Sequence, residues 1–263
     1  MGHDARMTTI GFIGVGTISE AMVRAMCTRP DPGPDIALSP RSADRSMRLA
    51  WEFPNCRRMA GNQEVIDVSD IVVLGMRPPQ LDEAVAGLAF RGEQIVASLI
   101  AGTPPSGIAP LVAPAARVCT LIPLPSIALH RGPLVISPAI PDVVDACRGL
   151  GEIITLDDES RIRTLSSASA VLSTYYEMQN ALISWIVDHG IDETTASRYV
   201  RAELDGLAAV GMATPDADRA HLPAEHQTKG GLNERVRGAL LEAGWFDALV
   251  DAIDEVHRTA VLR

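Results

Sequence analysis

The sequence predicts an α/β protein in which a doubly wound, mostly parallel β-sheet is followed by an all-helical dimerisation domain. Three observations predict this. Short apolar runs alternate with helical stretches through the first part of the chain, one run ends in a glycine-rich turn that opens a helix, and no clear strand follows residue 157. The length of 263 residues suits one large domain or two smaller ones, each with its own core. A composition of 47% hydrophobic and 21% charged residues excludes disorder as the main state.

The runs Thr8–Ile13, Asp35–Ser39, Ile71–Met76, Gln94–Ile100, Arg117–Ile122, Gly132–Ser137 and Glu152–Leu156 are mostly continuous apolar segments bounded by Gly or Pro. Strands buried on both faces read in this way. Between them Ile18–Thr28, Ala43–Trp51, Gln80–Leu88, Ser106–Val112 and Val143–Leu150 can each form a helix. Such alternation builds right-handed βαβ crossovers and a largely parallel sheet.

The character changes at Asp157-Asp158-Glu159, so the expected domains are 1–157 and 158–263. Ser160 to His189 carries Ile162, Leu165, Leu172, Tyr176, Ile183 and Ile186 on one helical face and stops at Gly190. It predicts a first helix near thirty residues long, apolar enough to need a partner, and hence a homodimer through the helical domain. Asp192–Val210, Gly231–Ala243 and Trp245–Leu262 read as further helices, with a break around Thr214–Pro223.

The formal charge of −10 excludes the basic surface that grips nucleic acid. No apolar run reaches the roughly 18 residues of a membrane span, and MGHDARM lacks the apolar core of a secretory leader. Cys27, Cys56, Cys119 and Cys147 show no metal-ligand or disulfide-framework spacing, nor do the histidines, so free thiols in a reducing cytoplasm and no metal are expected. Lys229 is the single lysine, among 23 basic residues.

Ile10 to Ala21 carries the strongest chemical signal, Gly14-Val15-Gly16 between an apolar strand and a helix. Gly14 permits the tight turn, Gly16 lets backbone approach a pyrophosphate, and the N–H groups of Thr17 and Ile18 open the helix toward the anion. This is the fingerprint of a Rossmann domain, with Ser19 in place of the usual third Gly or Ala. The second strand ends in Ser39-Pro40-Arg41-Ser42, with Arg45 and Arg48 following, rather than in a carboxylate. Arg and Ser donate to a 2′-phosphate that a carboxylate would repel, so NADP(H) is the expected cofactor.

These residues resemble the pyrroline-5-carboxylate reductases, over nearly the whole chain. GFIGVGTISEAMVRAM is similar to that family's glycine loop and first helix, and Ser39-Pro40-Arg41 falls where the family holds the NADPH phosphate. Val73 to Gln80, with Met76-Arg77-Pro78, resembles its strand-end Val-Lys-Pro-Gln. Ser98 to Gly102, with Ala101-Gly102, resembles its Ser-x-x-Ala-Gly turn, and Pro123 matches the proline of its Met-Pro-Asn. Thr228-Lys229-Gly230-Gly231 falls where it carries Ser-Pro-Gly-Gly. The resemblance implies a helix-swapped dimer, able to assemble further, that transfers hydride from NADPH to a cyclic imine in proline biosynthesis.

Three departures surround the substrate. Leu124 replaces a polar residue, Ser169 to Tyr175 lacks the glycines and proline of the family's Ser-Gly-Ser-Gly-Pro-Ala-Tyr, and Lys229 replaces a proline. A continuous helix would lock away the N–H groups at Ser169. Lys229 with Gly230, Gly231 and Thr228 could supply another anion site, or be a solvated loop lysine. Tyr175, Tyr176 and Glu177 are open alternatives as proton donors to the imine nitrogen, against tyrosines packed at a dimer seam. His226 reads as a hydrogen-bonded structural histidine. The catalytic candidates are therefore Tyr176, Glu177 and Lys229, with Ser169, Thr228, Gly230 and Gly231 toward substrate. β-Hydroxyacid-type oxidoreductases share the two-domain plan but need a lysine on the long helix, and none lies between Ser160 and His189. A non-catalytic NADP-binding dimer is the remaining alternative.

Overall fold

The computed structural model describes residues 8–100 and 102–259; residues 1–7, Ala101 and residues 260–263 lie outside the described set. The described chain contains an eight-stranded sheet in the order β3-β2-β1-β4-β5-β6-β7-β8. Its strands are β1 (Thr9–Ile13), β2 (Asp35–Leu38), β3 (Cys56–Arg58), β4 (Ile71–Leu74), β5 (Ile95–Ser98), β6 (Arg117–Pro123), β7 (Pro133–Ser137) and β8 (Glu152–Thr155). All neighbours are parallel except β6 and β7, which pair antiparallel with Thr120 opposite Ser137. The cause is the connection between them, which is only a short 3-10 turn at Pro125–Leu129. A parallel crossover needs roughly a dozen residues or more.

The first strands form as their composition dictates. β1, β4 and β5 are buried along their whole length, because helices cover both faces of the sheet. One core layer packs Phe12, Met22, Met26, Ile36 and Leu49, and the other packs Ile13, Val65, Leu74, Val96 and Ile108. The covering helices are α1 (Thr17–Thr28), α2 (Ala43–Glu52), α3 (Asn62–Val68), α4 (Leu81–Val85), α5 (Pro105–Ile108) and α6 (Pro141–Ala146).

Among the strands and helices named so far, β3 and α3 were not predicted. β3 is the sheet's edge and exposes Arg57 and Arg58, so it carries no apolar run to read. α3 buries only Val65 and Ile66 over seven residues, too short for a helical period to show.

Contacts divide the described residues into two units between Thr164 and Leu165, a boundary that falls inside α7 (Ile162–Ala168). The second unit contains α8 (Leu172–Asp188), α9 (Glu193–Ala213), α10 (Leu222–Glu225), α11 (Leu232–Glu242) and α12 (Trp245–Thr259). α8 lies against α9, and α11 against α12. The single long helix expected over Ser160–His189 needs correction. The chain tightens to 3-10 geometry at Ser169–Val171, separating α7 from α8. Among the described residues no helix is long and apolar enough to cross a membrane.

Candidate functional site

The strand-to-helix turn after β1 is built by backbone crowding. Gly14 has φ +90, and a Cβ there would lie 2.8 Å from the Gly75 carbonyl oxygen. A Cβ on Gly75 would in turn meet Ser19 Oγ at 2.1 Å and Gly14 O at 2.6 Å. Both positions therefore require glycine. Ser39, fully buried at the end of β2, accepts a hydrogen bond from the Gly14 N–H at 2.9 Å. Gly16 caps α1 without a side chain, which leaves the first-turn N–H groups of Thr17 and Ile18 facing outward from the helix start.

These groups open onto a cleft of about 510 Å³ at the carboxyl ends of β1, β2 and β4. Gly14, Gly16, Thr17, Ile18, Ser39 and Arg41 line it, joined by Met76 and Arg77 from the end of β4. Pro78 opens the 3-10 turn Pro78–Gln80 beside it, and Gln80 also lines the cleft. Pro123 is buried at the end of β6 and Gly102 holds φ +74 beyond β5, neither of them lining the cleft. Ala101 falls outside the described residues. A second cavity of about 580 Å³, lined by Asp67, Asp70, Arg91, Arg117 and Asp142, opens at the amino ends of the strands. In open α/β sheets ligands bind at the carboxyl ends, and the cleft there meets the N-terminus of α1, with its free first-turn donors.

Three arginines follow β2, but they have different fates. Glu20 of α1 draws in Arg48 at 2.7 Å and Arg45 at 3.4 Å, and it also holds Arg24 at 3.2 Å. Burial alone would raise the Glu20 carboxyl, but hydrogen bonds from Arg48 and Arg24 outweigh it and hold the group below its ordinary range. Arg41 is exposed on the cleft and enters no ion pair or hydrogen bond among the described residues. A nucleotide fits these residues: glycine backbone where a pyrophosphate must approach, free helix donors, and one uncommitted guanidinium. Ser19 Oγ, 1% exposed on the cleft floor and without a partner, is a further polar atom there left unsatisfied.

Glu20, Gly75 and Ser19's orphaned hydroxyl were missed by sequence reasoning. No local spacing links Glu20 to Arg45 and Arg48, which are brought to it by the β1–β2 pairing. The crowding at Gly75 was legible only as a glycine at a strand end.

The helical candidates are placed differently. Tyr176 is 58% exposed on α8 and stacks edge-on against Tyr175, with Glu177 exposed beside them. Ser169 lies in the 3-10 turn and gives its hydroxyl proton to the Leu165 carbonyl at 3.0 Å. Thr228, Lys229, Gly230 and Gly231 precede α11, and Lys229 is exposed. The anion site expected of that loop is corrected by its own hydrogen bonds. The Gly230 N–H donates to the Glu234 carboxylate at 2.5 Å, and the Gly231 N–H donates to the Thr228 carbonyl at 2.8 Å. A carboxylate of the chain already occupies the loop, because Glu234 in the first turn of α11 is drawn to the helix N-terminus. His226 donates Nδ1–H to the Leu222 carbonyl at 2.9 Å, a structural role.

Residues 9–102 match the family described as NADP oxidoreductase, coenzyme F420-dependent. Pyrroline-5-carboxylate reductase 2 of Bacillus subtilis is 24% identical over 261 residues, covering 96% of this chain and 94% of that protein. Over nearly its whole length the chain is similar to the pyrroline-5-carboxylate reductases. The reductase of Coxiella burnetii superposes with a TM-score of 0.82 at 18% identity, over 96% of this chain and 97% of that one. The Plasmodium falciparum pyrroline carboxylate reductase, solved with NADP bound, gives 0.81 at 14% identity, over 97% of each chain.

Three substitutions separate the roles of Ser39, Arg41 and Arg48. Ser39→Ala leaves the half-buried Gly14 N–H without its partner, so it is expected to cost about 1 kcal/mol of stability and to weaken NADPH and NADH binding in equal proportion. Arg41→Ala is expected to weaken NADPH binding about tenfold or more with NADH little changed, while Arg48→Ala leaves NADPH within about twofold. Denaturant unfolding and fluorescence titration with both cofactors measure these effects. Unchanged NADPH affinity in Arg41→Ala removes the phosphate assignment.

Proposed function

We propose that this protein is an NADPH-dependent reductase of a small cyclic imine. The default substrate is 1-pyrroline-5-carboxylate, giving L-proline, with a related cyclic imine as second choice. The observation that carries the reading is the uncommitted Arg41 beside the Gly14–Gly75 cradle. The cofactor, when bound, supplies the hydride that reduces the C=N bond.

The chain's own residues do the rest. The N–H groups of Thr17 and Ile18 hold the pyrophosphate at the start of α1, and Arg41 holds the 2′-phosphate. Met76, Arg77, Pro78, Gly102 and Pro123, all at or beyond carboxyl ends of strands, position the nicotinamide end, and Ala101 joins them on the resemblance alone. The helical unit supplies a proton for the imine nitrogen, with Tyr176 Oη as first candidate and the Glu177 carboxyl as second. Lys229 Nζ remains able to pair with a substrate carboxylate, without help from the Gly230 N–H. Ser169 and the Thr228–Gly231 loop are retained as substrate-side positions on the resemblance alone.

A homodimer is part of the proposal, formed through the helical unit. Among the described residues of that unit the buried hydrophobic side chains are Ala196 and Val200, while Trp185, Tyr199, Met212 and Leu232 are all more than half exposed. Such surface on a helical pair needs an apolar partner, and a second copy is the one the family resemblance supports. The four free thiols suit a reducing cytoplasm.

Leu124 and the self-capped Gly230 favour one other reading, an NADP-binding dimer that has lost turnover. NADPH consumption with 1-pyrroline-5-carboxylate and a panel of other cyclic imines decides between them. Oxidation of NADPH by at least one imine is expected, and tight NADPH binding with no turnover of any imine sinks the reductase. Light scattering is expected to give a mass near twice the chain's 28.0 kDa. A monomer at micromolar concentration removes the pairing.

A further inference from the structure

Away from the nucleotide cleft, the last turn of α1 and the first residue of β3 bring two thiols together. Cys27 Sγ and Cys56 Sγ lie 3.4 Å apart and both are free. Cys56 is buried, while Cys27 keeps part of its surface in solvent. The other two cysteines are inert by comparison: burial pushes the Cys119 and Cys147 thiols each up to about 12. The Cys27 thiol is held below its ordinary value, chiefly by the hydrogen bond with Cys56 against a burial that would raise it. Asn55 adds a second hydrogen bond, and the charges of Glu52 and Arg24 act on it in opposite directions.

We propose that Cys27 and Cys56 are a dithiol modification site that closes to a reversible disulfide when the protein meets a low-molecular-weight disulfide. The part-exposed Cys27 thiolate attacks one sulfur of that reagent, forming a mixed disulfide and expelling one thiolate. That thiolate takes the Cys56 proton, and the Cys56 sulfur attacks Cys27 Sγ, displacing the second thiolate. Two protein thiols are oxidised, and one external disulfide is reduced to two thiols. Closing the gap to the bonding distance of about 2.0 Å requires a shift smaller than the width of an atom. Cys27 lies in the final turn of a helix and Cys56 on the sheet's edge strand.

Position gives the bond a consequence. The segment between the two cysteines, residues 28–55, contains β2, Arg41 and α2. Oxidation therefore closes a covalent loop around the stretch that ends in the proposed 2′-phosphate contact, and it restricts that stretch in the unfolded chain.

The experiment equilibrates the full-length protein with oxidised glutathione and maps the cysteines by mass spectrometry. The expected product is a Cys27–Cys56 cross-linked peptide lacking two hydrogens, with a thermal midpoint raised by several degrees and restored by dithiothreitol. Cys56→Ala is expected to accumulate a glutathione adduct at Cys27, and Cys27→Ser to give neither product. A stable adduct on wild-type Cys27 with Cys56 still reduced, or no reaction at either position, overturns the proposal. Should Cys56→Ala fail to fold, Cys27→Ser decides: loss of the thermal shift supports the disulfide, and its persistence overturns it.

Discussion

The close backbone approach of Gly14 to Gly75 is the constraint on which the nucleotide cleft depends. Parallel pairing of β1 with β4 sets Ile13 opposite Leu74, so the residues that follow each strand leave the sheet side by side. Neither has room for a side chain, since a Cβ on either would come within 3 Å of the other's carbonyl oxygen. β2 adds the third point of the turn through Ser39, whose hydroxyl accepts the Gly14 N–H. Three adjacent strands thus fix one loop, and the loop fixes where the N-terminus of α1 points.

Charge near this loop is sorted by one carboxylate. Arg41, Arg45 and Arg48 are close in sequence and chemically identical, yet Glu20 takes two of them and leaves the first. Glu20 is itself held ionised by hydrogen bonds from Arg48 and Arg24, and Glu52 pairs with Arg24 as well. A strong positive field from all three would attract any anion. A single free guanidinium at the cleft gives a more selective recognition element, in which geometry matters as much as charge.

The parts legible in the sequence were those encoded locally. Parallel strands buried on both faces read as unbroken apolar runs, which is why β1, β4 and β5 stood out. β3 did not, because an edge strand with outward arginines has no such run. The glycine turn and Arg41 were legible as contiguous motifs. The true work of Ser39 was not, since a buried serine and a phosphate-binding serine look identical at the end of β2. The break at Ser169–Val171 was also hidden. Its neighbours Ser167 to Val171 contain no glycine or proline to announce a stop, and the backbone at Ala168, Val171 and Leu172 remains right-handed helical.

The two halves of the chain also differ in how their stability is stored. In the nucleotide half the large side chains of Phe12, Met22, Ile36, Leu38 and Leu74 are removed from water, and the sheet carries its own core. In the helical half, among the described residues, the hydrophobic side chains removed from water are one alanine and one valine, both on α9. Burial of two small groups offsets only a few kcal/mol, against an ordering cost of about 1–2 kcal/mol for every residue fixed in its helices. α8, α9, α11 and α12 therefore cannot owe their persistence to an interior of their own. Their apolar residues acquire one only against another surface, so in the proposed homodimer a mutation such as one at Trp185 or Leu232 would act on assembly and on helix stability together.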